Sequence, residues 1–127
     1  MVEKLKKILI IDDERSIRAT LKEILEFEKY LVETAQDGIE GYKMAEEKNF
    51  DLIFCDIKMP KIDGIETLKK IVENNILCPV IMISGHGDIE TAVQTLKIGA
   101  FDYIEKPLDL NRVLTCVRNA LNNNHLK

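Results

Sequence analysis

The sequence predicts a doubly wound α/β domain built on a five-stranded parallel sheet, and three observations carry that prediction. Short apolar runs alternate with segments of helical periodicity along the whole chain. The runs at residues 8–11, 52–55 and 79–83 are apolar without interruption, as strands buried on both faces must be. The connections between runs and helices are short, and right-handed crossovers then place helices on both sides of the sheet.

Residues 8–11 form a strand of aliphatic, mostly β-branched residues that stops at Asp12 and Asp13, after which Ile17, Leu21, Ile24 and Leu25 recur at helical spacing. Residues 30–35 read as the second strand. Asp37 opens the second helix as its N-cap, with Glu40 three residues later. The third strand, 52–55, ends at Asp56. Asp63-Gly64-Ile65-Glu66 repeats the helix-start device, and Leu68, Ile71 and Val72 supply that helix's apolar face. Residues 79–83 form the fourth strand, ending at Ser84. Asp88 caps a helix whose apolar face includes Ile89, Val93 and Leu96. Residues 101–104 form a short fifth strand ending near Lys106-Pro107, and Leu110, Val113, Leu114, Val117 and Leu121 stripe a last helix. This gives one domain over residues 1–121. Residues 122–127 are polar and read as the start of a linker or a frayed end.

Composition narrows the function. With 127 residues, 46% hydrophobic and 31% charged, the chain has the balance of one globular domain. Its net charge of −4 argues against a nucleic-acid-binding surface, because phosphate backbones need clustered Lys and Arg. No apolar run approaches the length of a membrane span, and no apolar segment follows the N-terminal lysines as in a secretory signal, so a cytoplasmic home without membrane contact is expected. Cys55, Cys78 and Cys116 are odd in number, far apart and set among apolar neighbours. They read as small buried hydrophobes in a reducing compartment.

In an open parallel sheet, ligands bind at the C-terminal edge of the strands, where strand order reverses. Here the strand ends deliver Asp12 and Asp13, Asp56, Ser84 and Lys106 to that one edge. Carboxylates about 4 Å apart repel by roughly 4 kcal/mol at an effective dielectric of 20, so three together call for a cation or a proton. A set of hard oxygen ligands without His or Cys favours Mg2+, Ca2+ or Mn2+, and Mg2+ is commonly held by one or two carboxylates, waters and a substrate phosphate. The residues therefore suit phosphoryl chemistry. Asp56 serves as nucleophile, Asp13 (with Asp12 through water) as metal ligand, Lys106 as a point charge for a phosphoryl oxygen, and Ser84 as a hydroxyl for another.

Ile10-Ile11-Asp12-Asp13-Glu14, Asp56-Ile57-Lys58-Met59-Pro60, Asp63-Gly64, Ser84-Gly85-His86 and Tyr103-Ile104-Glu105-Lys106-Pro107 follow one another at strand ends. Together they resemble the response-regulator receiver domain from end to end. The stretch from Ser84-Gly85-His86-Gly87-Asp88 through Ala100-Phe101-Asp102-Tyr103 is similar to receivers of the NtrC type. The resemblance implies a (βα)5, flavodoxin-like receiver fold. It makes Asp56 the phosphoacceptor, Asp12, Asp13, Asp56 and the backbone carbonyl of Lys58 the Mg2+ ligands, Ser84 the switch hydroxyl and Tyr103 the switch aromatic, with Lys106 before a cis proline. It further implies a sensor histidine kinase as donor and a homodimer formed on phosphorylation. The face of helix 4, strand 5 and helix 5 would be the output, and the ATPase and DNA-binding domains of a sigma-54-type activator would be partners within a parent protein. The chain would then be a switch that modifies only itself. Tyr103 owes its role to the resemblance alone, since an aromatic near a sheet edge is often plain core. Gly85 would leave the pocket mouth open to a bulky donor, and His86 sits either at that mouth or on the solvated surface.

Three rivals are weaker. An aspartyl phosphohydrolase or phosphomutase usually carries a second Asp two residues after the nucleophile, where this chain has Lys58. A flavin mononucleotide module needs a Gly- and hydroxyl-rich first loop, and Asp12-Asp13-Glu14 would repel its phosphate. A degenerate partner-binding receiver would not need the intact acidic set and Lys106.

Overall fold

The computed structural model describes residues 4–85 and 87–123. The chain runs β1 (Lys7–Ile11), α1 (Arg15–Phe27), β2 (Leu31–Ala35), α2 (Gly38–Glu47), β3 (Leu52–Asp56), α3 (Gly64–Glu73), β4 (Val80–Ser84), α4 (Ile89–Ile98), β5 (Asp102–Glu105) and α5 (Leu110–Asn123). All strand pairs are parallel, in the order β2-β1-β3-β4-β5. The order reverses between β1 and β3, which puts a crevice at their C-terminal ends.

Side chains alternate across each strand, so each face collects every second residue. Leu9, Ile11, Ile53, Cys55, Val80 and Met82 pack beneath α2, α3 and α4, meeting Ala45, Leu68, Ile71 and Ala92. Ile8, Ile10, Leu52, Phe54, Ile81 and Ile83 face the other way, onto Leu21 and Leu25 of α1 and Val113, Cys116, Val117 and Ala120 of α5. Burying a Leu of this kind is worth about 1.5–3 kcal/mol, so Leu21 and Leu25 alone anchor α1 firmly.

Two helices start as their sequences direct. The Asp37 carboxylate accepts the Glu40 N–H at 2.8 Å and the Asp63 carboxylate accepts the Glu66 N–H at 3.0 Å. Glu40 reaches back one residue further than a standard capping box, accepting the Gln36 N–H at 2.7 Å. Asp88 differs from its sequence expectation. It occupies the N-cap position of α4, but its side chain makes no cap bond and pairs instead with the Lys58 ammonium at 3.2 Å.

The apolar stripe of α4 also departs from the simplest reading. Ile89, Val93 and Leu96 lie on one helix face, yet they are 38%, 41% and 37% exposed, while the residues buried against the sheet are Ala92 and Thr95. Small residues let the helix sit close to the strands and turn its larger side chains outward. Val72 of α3 is likewise exposed, and Leu68 and Ile71 make that helix's core contacts. The three cysteines are free; Cys55 and Cys116 are buried and Cys78 is half-buried. Burial pushes the Cys78 thiol up to about 12 and raises that of Cys55 further, which makes both poor nucleophiles. Among the described residues, no helix is long and apolar enough to cross a membrane. His86 and residues 124–127, including His125, lie outside the described residues.

Candidate functional site

Register levels the acidic residues. Ile11 pairs with Cys55, so Asp12, one residue past β1, falls beside Asp56, the last residue of β3. The Asp12 N–H continues toward the ladder by donating to the Ala35 carbonyl at 3.1 Å. One carboxylate oxygen each from Asp12, Asp13 and Asp56 lies within 4.8 Å of the others. Asp12 and Asp56 are buried and Asp13 is exposed, so the cluster is a crevice with one wet side.

Asp12 is fully buried, and its two oxygens differ. Oδ1 accepts the Glu14 N–H at 2.8 Å, whereas Oδ2 has no hydrogen-bond partner among the described residues. A buried unpaired carboxylate oxygen is costly. The nearest cation is the Lys106 ammonium, 3.8 Å away and too far for a hydrogen bond. An orphaned oxygen among three carboxylates fits a hard divalent cation such as Mg2+.

Lys106 enters from the loop after β5. Its N–H donates to the Ser84 carbonyl at 2.8 Å, extending the β4–β5 pairing by one rung, and the Lys106-Pro107 bond is cis. The ammonium stands 3.5 Å from Asp56 Oδ2 and makes its short contact with Glu14 Oε1.

The electrostatics follow from burial and crowding. Burial and then the Asp12 charge push the Asp56 carboxyl from 3.8 to about 7, with Lys106 pulling the other way. Burial also raises the Asp12 carboxyl, against the Glu14 N–H and Lys106, which lower it. For Lys106, burial opposes the charge, but the bond to Glu14 and the neighbouring carboxylates outweigh it and the ammonium is held above its ordinary value. The crevice is therefore short of positive charge and carries one carboxyl, Asp56, near its titration midpoint at neutral pH.

Ser84 is fully buried at the end of β4, its hydroxyl donating to the Gly85 carbonyl at 3.1 Å. Tyr103 on β5 is half-buried against the cluster beneath α2–α4. Arg112 of α5 ties that strand down, donating to the Tyr103 carbonyl at 2.7 Å and meeting Asp102 at 3.2 Å. Lys58 follows Asp56 by two residues and is exposed, with its ammonium on Asp88.

Asp12, Asp13, Asp56 and Lys106 thus come together, with Ser84 one position beyond Ile83, the strand partner of Asp56. Three contributors carried little sequence signal. Glu14 meets Lys106 across 92 positions of chain. Asp88 bridges the β4–α4 loop to Lys58. Gly64 lies so close to β3 that a Cβ would stand 1.9 Å from the Asp56 carbonyl oxygen and 2.7 Å from the Ile57 Cα. A Gly after a helix-capping Asp hints at such an approach without naming its target.

The sequence matches the family described as Response regulator receiver domain over residues 8–118. It is 38% identical over 118 residues to the Transcriptional regulatory protein ZraR of Escherichia coli (strain K12), covering 93% of this chain and 27% of that protein. It is 42% identical over 116 residues to the Nitrogen assimilation regulatory protein NtrX of Azorhizobium caulinodans, covering 90% of this chain and 26% of that protein. A response regulator receiver domain protein from Clostridium thermocellum has a TM-score of 0.90 at 36% identity, covering 96% of this chain and 98% of that one. The chain spans about a quarter of the length of the curated relatives it matches. By sequence and by fold, the chain belongs to the response regulator receiver domain family and is similar to the receivers of NtrC-type regulators.

Proposed function

We propose that this chain is a phosphorylation-driven switch of a two-component system, which takes a phosphoryl group from a sensor histidine kinase onto Asp56. The observation that carries the reading is the convergence of buried Asp56 with Asp12, Asp13 and Lys106, including an Asp12 oxygen with no hydrogen-bond partner. Asp56 attacks the phosphorus of the donor's phosphohistidine; the new O–P bond replaces the N–P bond, and the imidazole leaves with a proton. Mg2+, held by Asp12, Asp13, Asp56 and the Lys58 backbone carbonyl, would neutralise phosphoryl charge. Lys106 offers its ammonium to a phosphoryl oxygen, and nothing on its side of the crevice needs to move far, since it already stands 3.5 Å from Asp56.

The modified Asp56 carries roughly two negative charges where it held one at most. Ser84 then gives up its bond to the Gly85 carbonyl for a phosphoryl oxygen, Tyr103 follows into the space left, and the population shifts between two packings. The output is the face of α4, β5 and α5, which carries the exposed Ile89, Val93 and Leu96 and the Arg112–Asp102 pair. A homodimer through that face is the proposed active form. In an NtrC-type parent it would govern ATPase and DNA-binding domains in sigma-54-dependent transcription, in the cytoplasm. The chain acts on no substrate other than its own Asp56.

Intact-mass measurement after incubation with acetyl phosphate and Mg2+, with Asp56→Asn as control, tests the reading. One added phosphoryl group that needs Mg2+ and is lost in the control is expected. No adduct, and no beryllofluoride complex either, would leave a degenerate partner-binding domain instead.

A further inference from the structure

The Lys106 ammonium has three carboxylate neighbours, and they are not equivalent. Asp56 Oδ2 at 3.5 Å and Asp12 Oδ2 at 3.8 Å lie beyond the roughly 2.7–2.9 Å of a charge-assisted hydrogen bond. Glu14 Oε1 is the one in close contact. Glu14 is free to do this because of its place in the fold. It is the N-cap residue of α1, yet its side chain makes no cap bond, and its N–H is already taken by Asp12 Oδ1. The carboxylate is half exposed and holds the Lys106 ammonium in closer contact than either buried acid does.

We propose that Glu14 is a positioning residue that competes with the phosphoryl group for Lys106 and so restrains phosphorylation of Asp56. The inference rests on the phosphoacceptor role proposed for Asp56 and adds a control on that same site. Two effects act in one direction. Lys106 must turn part of its charge from Glu14 to the incoming phosphoryl oxygens, and the Glu14 carboxylate itself repels an anionic donor at the mouth. Both effects are electrostatic and solvent-facing, so they are modest and screened by salt.

The test uses Glu14→Gln, which keeps the shape of the side chain and removes its charge, in the full chain. With acetyl phosphate and saturating Mg2+ at low ionic strength, the variant should take up the phosphoryl group roughly two- to fivefold faster than the parent, the scale of a half-exposed ion pair. The advantage should shrink as salt is raised through the range where the screening length falls below about 10 Å. Independently of phosphorylation, the 15N resonance of the Lys106 ammonium in the resting protein should move in the variant. A variant rate equal to or below the parent's overturns the inference and leaves the phosphoacceptor reading standing. An unmoved Lys106 resonance also overturns it, by showing that the pair is not formed in solution. Uptake by neither protein overturns the phosphoacceptor reading and, with it, this one.

Discussion

Asp56 is kept buried beside two other carboxylates at a cost to stability, and removing its charge should return that cost. Its carboxyl rises from 3.8 to about 7 in the folded chain, chiefly through burial and the nearby Asp12 charge. At about 1.4 kcal/mol per unit, a shift of that size corresponds to about 4 kcal/mol. A raised folded pKa means that the folded state holds its proton more tightly than the unfolded one. The associated stability is present in full below about pH 4 and is lost as pH rises through about 7. Asp56→Asn cannot lose it. The shift already includes the attraction of Lys106, so the gain expected near pH 8 is up to about 4 kcal/mol. Thermal unfolding in chelator-containing buffer should show Asp56→Asn melting roughly 10 °C above the parent near pH 8. The gap should close toward about pH 4.5, and adding Mg2+ near pH 8 should narrow it from the parent's side. A gap that stays constant from pH 4.5 to pH 8, or a variant less stable at the upper end, would refute the charge-crowding argument, because neither is compatible with a raised Asp56.

Two further outcomes follow from the packing. Gly64→Ala should destabilise the domain by roughly 1–3 kcal/mol in urea unfolding and slow phosphoryl uptake, because its Cβ would meet the Asp56 carbonyl oxygen and Ile57 Cα, both backbone atoms that cannot swing aside. Val93→Asp, on the exposed stripe of α4, should change folding stability by no more than about 0.5 kcal/mol while abolishing self-association of the phosphorylated chain in sedimentation.

The polar residues of the crevice were legible because strands buried on both faces leave a sharp signature. In β1, β3 and β4 an apolar run stops abruptly at Asp12, Asp56 and Ser84, and a parallel sheet delivers all such ends to one edge. The sequence boundaries of β4 and β5 fall one residue early, since Pro79 and Phe101 flank the strands rather than join them. What stayed hidden is contact across the chain. Periodicity identifies the Ile89-Val93-Leu96 face of α4 without saying whether sheet or solvent meets it, and the small Ala92 and Thr95 decide that question. A capping propensity places Asp88 at a helix start, but the Lys58 ammonium in another loop claims its carboxylate. Glu14 reads as one acid among several until the β5–α5 loop brings Lys106 to it.

The small residues beneath α4 bear on how the molecule can move. Displacing a helix anchored by leucines opens voids, at about 24 cal/mol per Å3 of cavity left behind. Helix α1, with Leu21 and Leu25 fully buried, is tied in this way. Beneath α4 the fully buried positions are a methyl group at Ala92 and a Thr side chain at Thr95 whose hydroxyl bonds within its own helix, to the Ala92 carbonyl. A slide or tilt of α4 over the sheet therefore uncovers little volume and breaks no side-chain hydrogen bond between Thr95 and the strands. Of the two helices, α4 is therefore the one that the packing leaves freer to shift, and it follows directly on the strand that carries Ser84 to the crevice.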